Sequence, residues 1–156
     1  MGEAVGQREA ALAPALVARD AIVAARAVRL AAGRRLLLLS APGAAGWLGA
    51  RGWRALVRAA TGGAPAEAVQ DALCCGGAPG FALDALREGC RILVLDGGCP
   101  GFAAVAGAAQ EAGALLLPAR PASLDLRELD LSRPAGQARL AQWLAGAPDD
   151  SAPIWR

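Results

Sequence analysis

A seven-residue segment occurs twice in this chain and limits the folds that the chain can form. Residues 76–82 read GGAPGFA and residues 97–103 read GGCPGFA, so six of seven positions are identical at an offset of 21 residues. The second copy follows an apolar run at 92–95, and both copies lead into alanine-rich stretches. Proline suits the first turn of a helix, because its missing N–H would have no partner there. The repeat therefore predicts a strand, a Pro-Gly turn and a helix, used twice.

Residues 66–75 allow two interpretations. As a helix, the segment would begin after Pro65 and bury Val69, Ala72 and Leu73. As a strand, it would run over 69–75 and end at the first glycine pair. Because the second copy of the repeat follows an apolar strand, we favour a strand before the first copy as well. The helix stays open as the alternative.

The remaining elements follow from apolar spacing and from breaker residues. Short apolar runs predict strands at 35–40 and 115–117, and the first of these ends in another Pro-Gly pair. Helices are predicted over 46–60 and 133–145, and 123–132 is interpreted as a connection. A long first helix is predicted over 9–32, because five apolar residues repeat there at helical spacing: Leu12, Leu16, Val23, Ala27 and Leu30.

This alternation of strands and helices predicts an α/β fold with a parallel sheet covered on both faces. We expect a small three-layer sandwich, with a four-stranded sheet in the flavodoxin-like order 2-1-3-4 and a long N-terminal helix. Half of a (β/α)₈ barrel has the same local pattern, but four strands cannot close a barrel. Residues 1–146 would form one domain, and residues 147–156 a disordered C-terminal tail.

The residues that are absent from the chain exclude much chemistry. It has no histidine or tyrosine, and all 16 basic residues are arginine. A Ser-His-Asp triad, an HExxH zinc site, a Schiff-base lysine and a Walker A lysine are therefore impossible. The cysteines match no zinc spacing: Cys74, Cys75, Cys90 and Cys99. We accordingly expect no metal and no cofactor, and the shortage of catalytic side chains favours a non-enzymatic role while leaving enzymatic activity open.

Charge and hydropathy bear on partners and location. The net charge is +2, divided between +6 in residues 1–60 and −4 in residues 61–156. The basic half favours an anionic partner or is simply a solvated surface. Trp47 and Trp53 alternate with arginines, but the helical spacing of Trp53 with Leu56 and Val57 favours a role in the core, so nucleic acid is not the expected partner. Without a signal peptide or a membrane-length apolar stretch, the expected location is cytoplasmic. Trp155 stands in a polar tail, where it either folds back on the domain or acts as a partner-binding anchor.

The turns after the strands are the candidate ligand site. In a parallel sheet these turns emerge at one edge, where helix amino termini attract anions and glycines let a ligand approach the main chain. The alternative is that the glycines serve only the geometry of tight turns. The candidate ligand-binding residues are Gly43, Gly76, Gly77, Gly80, Asp96, Gly97, Gly98 and Gly101.

Two cysteines suggest a different function for the same edge of the sheet. Cys99 precedes Pro100, so we expect it at the N-cap of a helix, where the helix dipole lowers a thiol pKa. Cys75 is expected at the same edge, one strand away. The alternative interpretation is that both cysteines are small buried hydrophobic residues, which is the usual role of cysteine.

Three functions remain open on these grounds. The leading hypothesis is a non-catalytic α/β module that binds a partner protein or a small anionic ligand at the strand-to-helix turns. One alternative is a thiol-dependent enzyme or redox module that uses Cys99 with Cys75. The other is a structural subunit that packs against another chain or against a second copy of itself.

Overall fold

A computed structural model describes residues 12–62, 64 and 67–146 of the chain. The strands are β1 (Ala15–Ala18), β2 (Leu36–Ser40), β3 (Val69–Cys74), β4 (Ile92–Val94), β5 (Leu115–Leu117) and β6 (Ser123–Asp125). The α-helices are α1 (Ala21–Ala31), α2 (Gly49–Thr61), α3 (Pro79–Arg87), α4 (Phe102–Glu111) and α5 (Pro134–Leu144). Short 3-10 turns follow β2 and β6, at Ala44–Gly46 and Leu126–Glu128.

The described strands form one parallel sheet in the order β5-β4-β3-β2-β1-β6. The predicted α/β class and parallel sheet are confirmed, as is the strand interpretation of Val69–Cys74. The predicted four strands in the order 2-1-3-4 are wrong, because the sheet has six strands and each of β1 to β5 lies beside the next in sequence. The two strands that the sequence did not reveal are β1 and β6, which are four and three residues long.

The predicted long N-terminal helix is also wrong over its described part. Ala15–Ala18 is a strand with all four residues buried. The helix begins only after Asp20, whose side chain accepts a hydrogen bond from the Val23 N–H at 2.8 Å. An N-cap of this kind fixes the start of a helix, so the apolar residues before it are free to join the sheet. The first residues of the predicted helix, 9–11, lie outside the described residues.

The described helices all pack on one face of the sheet. One core cluster combines alternate strand residues, such as Leu38 and Leu93, with buried residues of every α-helix. A second cluster contains the other strand residues, such as Leu37 and Leu39, and includes no residue of a described helix. The expected three-layer arrangement is therefore not what the described residues form. Consecutive parallel strands with their helices on one side are instead the arrangement found along part of a β/α barrel.

The connection from β5 to β6 shows that the sheet is curved. It contains only residues 118–122, although the two strands lie at opposite edges of the sheet. Five spacings between flat neighbouring strands amount to roughly 24 Å, whereas six extended steps of the chain reach at most about 22 Å. The sheet must therefore curl to bring its two edges within reach of the connecting segment.

Two buried polar contacts tie neighbouring elements to the sheet. Ser40 is fully buried at the end of β2, and its Oγ accepts a hydrogen bond from the Cys74 N–H at 2.8 Å. Trp53 of α2 is also fully buried, and its Nε1 donates to Asp71 Oδ2 at 2.9 Å. None of the helices in the described part of the chain is both long and apolar enough to cross a membrane.

Candidate functional site

The turns that follow β2, β3 and β4 lie side by side at the C-terminal edge of the sheet. A Cβ atom placed on Gly76 would lie 3.8 Å from the Cα of Gly43, so the first two turns touch. The Asp96 N–H donates to the Gly76 carbonyl at 2.8 Å, which joins the second turn to the third. The Gly97 N–H donates to the Pro118 carbonyl at 3.0 Å. We call this row of turns, residues 41–48, 75–80 and 96–101, the C-terminal edge.

The glycines of the C-terminal edge fall into two groups. Gly43, Gly76 and Gly101 have φ values of +64°, +59° and +88°, which side chains rarely tolerate, so turn geometry accounts for them. Gly77 and Gly80 have no such φ, and a Cβ on either would meet no atom within 4 Å. At these two positions turn geometry gives no reason for a glycine, and the main chain faces open space.

The two remaining candidate glycines are more restricted. A Cβ on Gly97 would lie 3.0 Å from Pro118 Cβ, so a side chain there would crowd the neighbouring turn. At Gly98 the nearest atom to a Cβ would be the Asp96 Oδ1, at 3.5 Å. That carboxylate accepts a hydrogen bond from the Gly98 N–H at 3.0 Å, so Asp96 stabilises the turn in which it lies.

Three helices begin at the C-terminal edge without a side-chain cap. The N-cap residues of α2, α3 and α4 are Leu48, Ala78 and Gly101, and none makes a side-chain hydrogen bond to its helix. Nor does any of the three helices carry an acidic residue in its first turn. The first N–H groups of a helix have no partner inside the helix, and the macrodipole places partial positive charge there. The C-terminal edge is therefore electropositive through its main chain.

An arginine from the β5–β6 connection reaches the same edge. The Nη1 atom of Arg120 donates to the Ser40 carbonyl at 2.9 Å, and its side chain is half-buried. The sequence analysis did not identify Arg120. No local motif marks it, because only the path of the connection across the sheet brings it to the end of β2.

A separate ion pair joins the outermost strand to its neighbour. Arg19 follows β1, and its Nη2 lies 3.1 Å from Asp125 Oδ2 at the end of β6. Burial raises the pKa of Asp125, but hydrogen bonds from Arg127 and Arg19 outweigh it and hold that pKa below its usual range. The Nε of Arg19 is buried and makes no hydrogen bond within the described structure. This pair fastens β6 to β1.

The thiols of the candidate site differ from the prediction. Cys75 is buried, and burial, followed by the neighbouring Cys74 and Cys90, raises its pKa to about 12. Cys99 is half-buried but does not cap a helix, because α4 begins at Phe102 with Gly101 as its N-cap. The predicted N-cap position of Cys99 is therefore wrong. The left-handed conformation of Gly101 makes α4 begin after the Pro-Gly pair of its turn, whereas α3 begins at Pro79, the proline of the first copy of the repeat.

Two exposed aromatic side chains lie at one corner of the C-terminal edge. Trp47 is 65 % exposed and Phe81 is 43 % exposed. The Phe81 ring lies against Gly46, with Cε2 only 3.2 Å from where a Cβ on that glycine would be. The predicted core role of Trp53 is confirmed, because Trp53 is fully buried, whereas Trp47 precedes the helix and is exposed. Trp155 lies outside the described residues.

The described side chains include no group of three or more histidine, cysteine, aspartate or glutamate residues that could hold a metal ion. The C-terminal edge thus offers main-chain donors, one arginine and two aromatic rings. Comparison of the chain with protein families, with curated proteins and with solved structures finds no significant match.

Proposed function

We propose that this protein is a non-catalytic binding module that holds a small anionic ligand at the C-terminal edge of its sheet. The observation that supports the proposal most directly is the convergence of three uncapped helix amino termini, those of α2, α3 and α4, on one row of touching turns.

The uncapped amino termini favour an anion over a neutral or cationic ligand. A carboxylate or phosphate can accept hydrogen bonds from the free N–H groups and interact with the partial positive charge of each helix. By contrast, α1 begins at the same edge but is capped by the Asp20 carboxylate. The ligand site is therefore assigned to the turns before α2, α3 and α4.

Access to the main chain narrows the site further. Gly77 and Gly80 are exposed and have open space where a side chain would be. Gly80 is also the second residue of α3, so its N–H belongs to the uncapped first turn. An anion can approach this N–H without meeting a side chain at either glycine, so we place the ligand between Gly77 and Gly80.

The side chains at the edge favour binding over catalysis. Burial and the raised pKa of Cys75 oppose its ionisation, and the chain has no histidine that could act as a base for Cys99. Asp96 already accepts a hydrogen bond from its own turn. No specific contact favours the thiol-enzyme alternative.

The test is a titration of the ¹⁵N-labelled full chain with methyl phosphate, followed by NMR. We expect the amide signals of Gly77, Gly80 and Phe81 to shift together with one dissociation constant. The variant Gly80→Asp places a carboxylate at the site, where open space accommodates it, and should weaken binding at least tenfold. Shifts that are scattered over the surface, or are unchanged by Gly80→Asp, would contradict the proposal.

The matched control is Gly107→Asp, which adds the same charge to an exposed position within α4 that also has open space. We expect it to leave methyl phosphate affinity within about twofold of the unmodified chain. Gly80→Asp should in addition stabilise the fold by about 0.5 kcal/mol relative to this control, because it adds an acidic residue to the first turn of α3. A gain in stability together with a loss of affinity would separate a ligand effect from misfolding.

A further inference from the structure

We infer that the anion bound at the C-terminal edge carries an aromatic ring, which lies on the exposed side chains of Trp47 and Phe81. The inference rests on the proposed anion site and adds to it the chemical class of the ligand. The observation behind it is that two large aromatic side chains are exposed at this edge: Phe81 follows Gly80, and its ring contacts Gly46, the residue before Trp47.

The exposure of these two rings distinguishes them from other aromatic side chains of the described chain. Trp53 is fully buried, and Trp143 is half-buried with its Nε1 donating to the Ala15 carbonyl at 2.9 Å. Trp47, at 65 % exposed, leaves most of its ring in water. Tryptophan is the residue most enriched where proteins bind partners and ligands, because it buries a large area on contact.

The position of the rings relates them to the anion site. Phe81 follows Gly80 directly in the first turn of α3. Its ring rests on Gly46, the residue immediately before Trp47, so Phe81 and Trp47 belong to the same corner of the surface. A ligand whose anionic group is held by the N–H groups at the start of α3 would place a directly attached ring over this corner.

The surroundings complement such a ligand in charge as well as in shape. The nearest turns contribute uncapped helix amino termini and no acidic side chain in the first turns of α2 or α3. A ligand with a flat ring attached to a phosphate or carboxylate would therefore interact with the helix amino termini through its anionic group and with the aromatic side chains through its ring. Stacking on an aromatic side chain is typically enough to raise affinity about tenfold.

The test compares two probes that share one anionic group. Methyl phosphate and phenyl phosphate are titrated into the full chain by calorimetry, and the ratio of their dissociation constants reports the contribution of the ring. We expect phenyl phosphate to bind about tenfold more tightly than methyl phosphate. In Trp47→Ala and in Phe81→Ala this ratio should fall toward one, because the affinity for phenyl phosphate falls toward that for methyl phosphate.

The control is Ile22→Ala, which removes an even more exposed apolar side chain, 83 % exposed on α1, and should leave the ratio unchanged. A ratio near one in the unmodified chain, or a ratio that neither aromatic variant alters, would overturn the inference and leave the anion site standing. If neither probe binds, the anion site is itself disproved and the inference falls with it.

Discussion

Asp71 is a half-buried carboxylate in the centre of the sheet. Burial raises its pKa above the usual 3.8, and this effect exceeds the opposing effects of the Trp53 hydrogen bond and the Arg54 charge. The folded protein therefore holds the proton of Asp71 more tightly than the unfolded chain does. The stability that this brings is complete below pH 3.8 and is lost as the pH rises through the folded-state pKa.

We predict that Asp71→Asn stabilises the protein at pH 7 relative to the unmodified chain. Asparagine can still accept the hydrogen bond from Trp53, but it has no charge to bury. The advantage should shrink as the pH falls toward 3.8, as measured by urea unfolding across that range. Asp71→Ala serves as the contrast: it leaves the Trp53 N–H without a partner and should be about 1–3 kcal/mol less stable than Asp71→Asn at every pH. An advantage of Asp71→Asn that does not change with pH would contradict this account.

At the level of single residues, the sequence predicted backbone requirements better than side-chain exposure. The glycine turns at Gly43 and Gly76 follow from the Pro-Gly and Gly-Gly pairs, because few residues tolerate that backbone. Trp47 and Trp53 have similar local surroundings in the sequence, yet one is exposed and the other is fully buried. Their difference depends on the first residue of α2, which apolar spacing alone did not locate.

Asp20 sets the boundary between β1 and α1. The segment from Leu12 to Leu30 is rich in alanine, which suits a helix and also fits a small-residue strand. Its apolar residues match helical spacing, so the sequence predicted one long helix where the structure has a strand and a helix. Burial of β1 between β2 and β6 decides the outcome, and local propensity cannot reveal that context.

We predict that Asp20→Ala lowers the free energy of unfolding by about 1 kcal/mol, because it removes the cap on the Val23 N–H. Asp20→Asn should retain most of that stability, since an amide oxygen can also accept the bond. Thermal unfolding of the three proteins under one buffer condition would measure both effects. Equal losses for alanine and asparagine would show that charge, and not the hydrogen bond, is the stabilising contribution of Asp20.

On the scale of the whole molecule, strand order was the least predictable property. No pattern in the sequence predicts β6, because Ser123–Asp125 is three residues long and contains a single apolar residue, Leu124. Connections between parallel strands of one sheet are right-handed, which limits the path of each crossover. This rule does not determine at which edge of the sheet the next strand is added. The turns that form the C-terminal edge were nonetheless predicted to lie together, because every parallel order places them at the same end of the strands.

The β5–β6 connection should tolerate insertion better than deletion. Deleting the exposed Ala122 shortens the five-residue connection that joins the two edge strands of the sheet, and should pull β6 from β1. We expect a loss of about 2 kcal/mol or more, comparable to exposing one buried leucine such as Leu124. Inserting one glycine after Ala122 should cost less than about 1 kcal/mol. Equal losses of unfolding free energy for the deletion and the insertion, measured by urea unfolding, would show that the connection is longer than the distance it spans requires.

The neighbour-by-neighbour order of β1 to β5 also has a kinetic consequence. Each of these strands pairs with the strand made immediately before it, so the sheet can grow as the chain leaves the ribosome, with short loops to close at every step. The β1–β6 pairing is different, because residue 15 meets residue 123, a separation of 123 − 15 = 108 residues. Until β6 is synthesised, one side of β1 remains an unpaired edge. The first strand of this protein therefore gains its second neighbour only when the last strand has been made. During synthesis its unpaired edge is the part of the sheet most exposed to pairing with other chains and to aggregation.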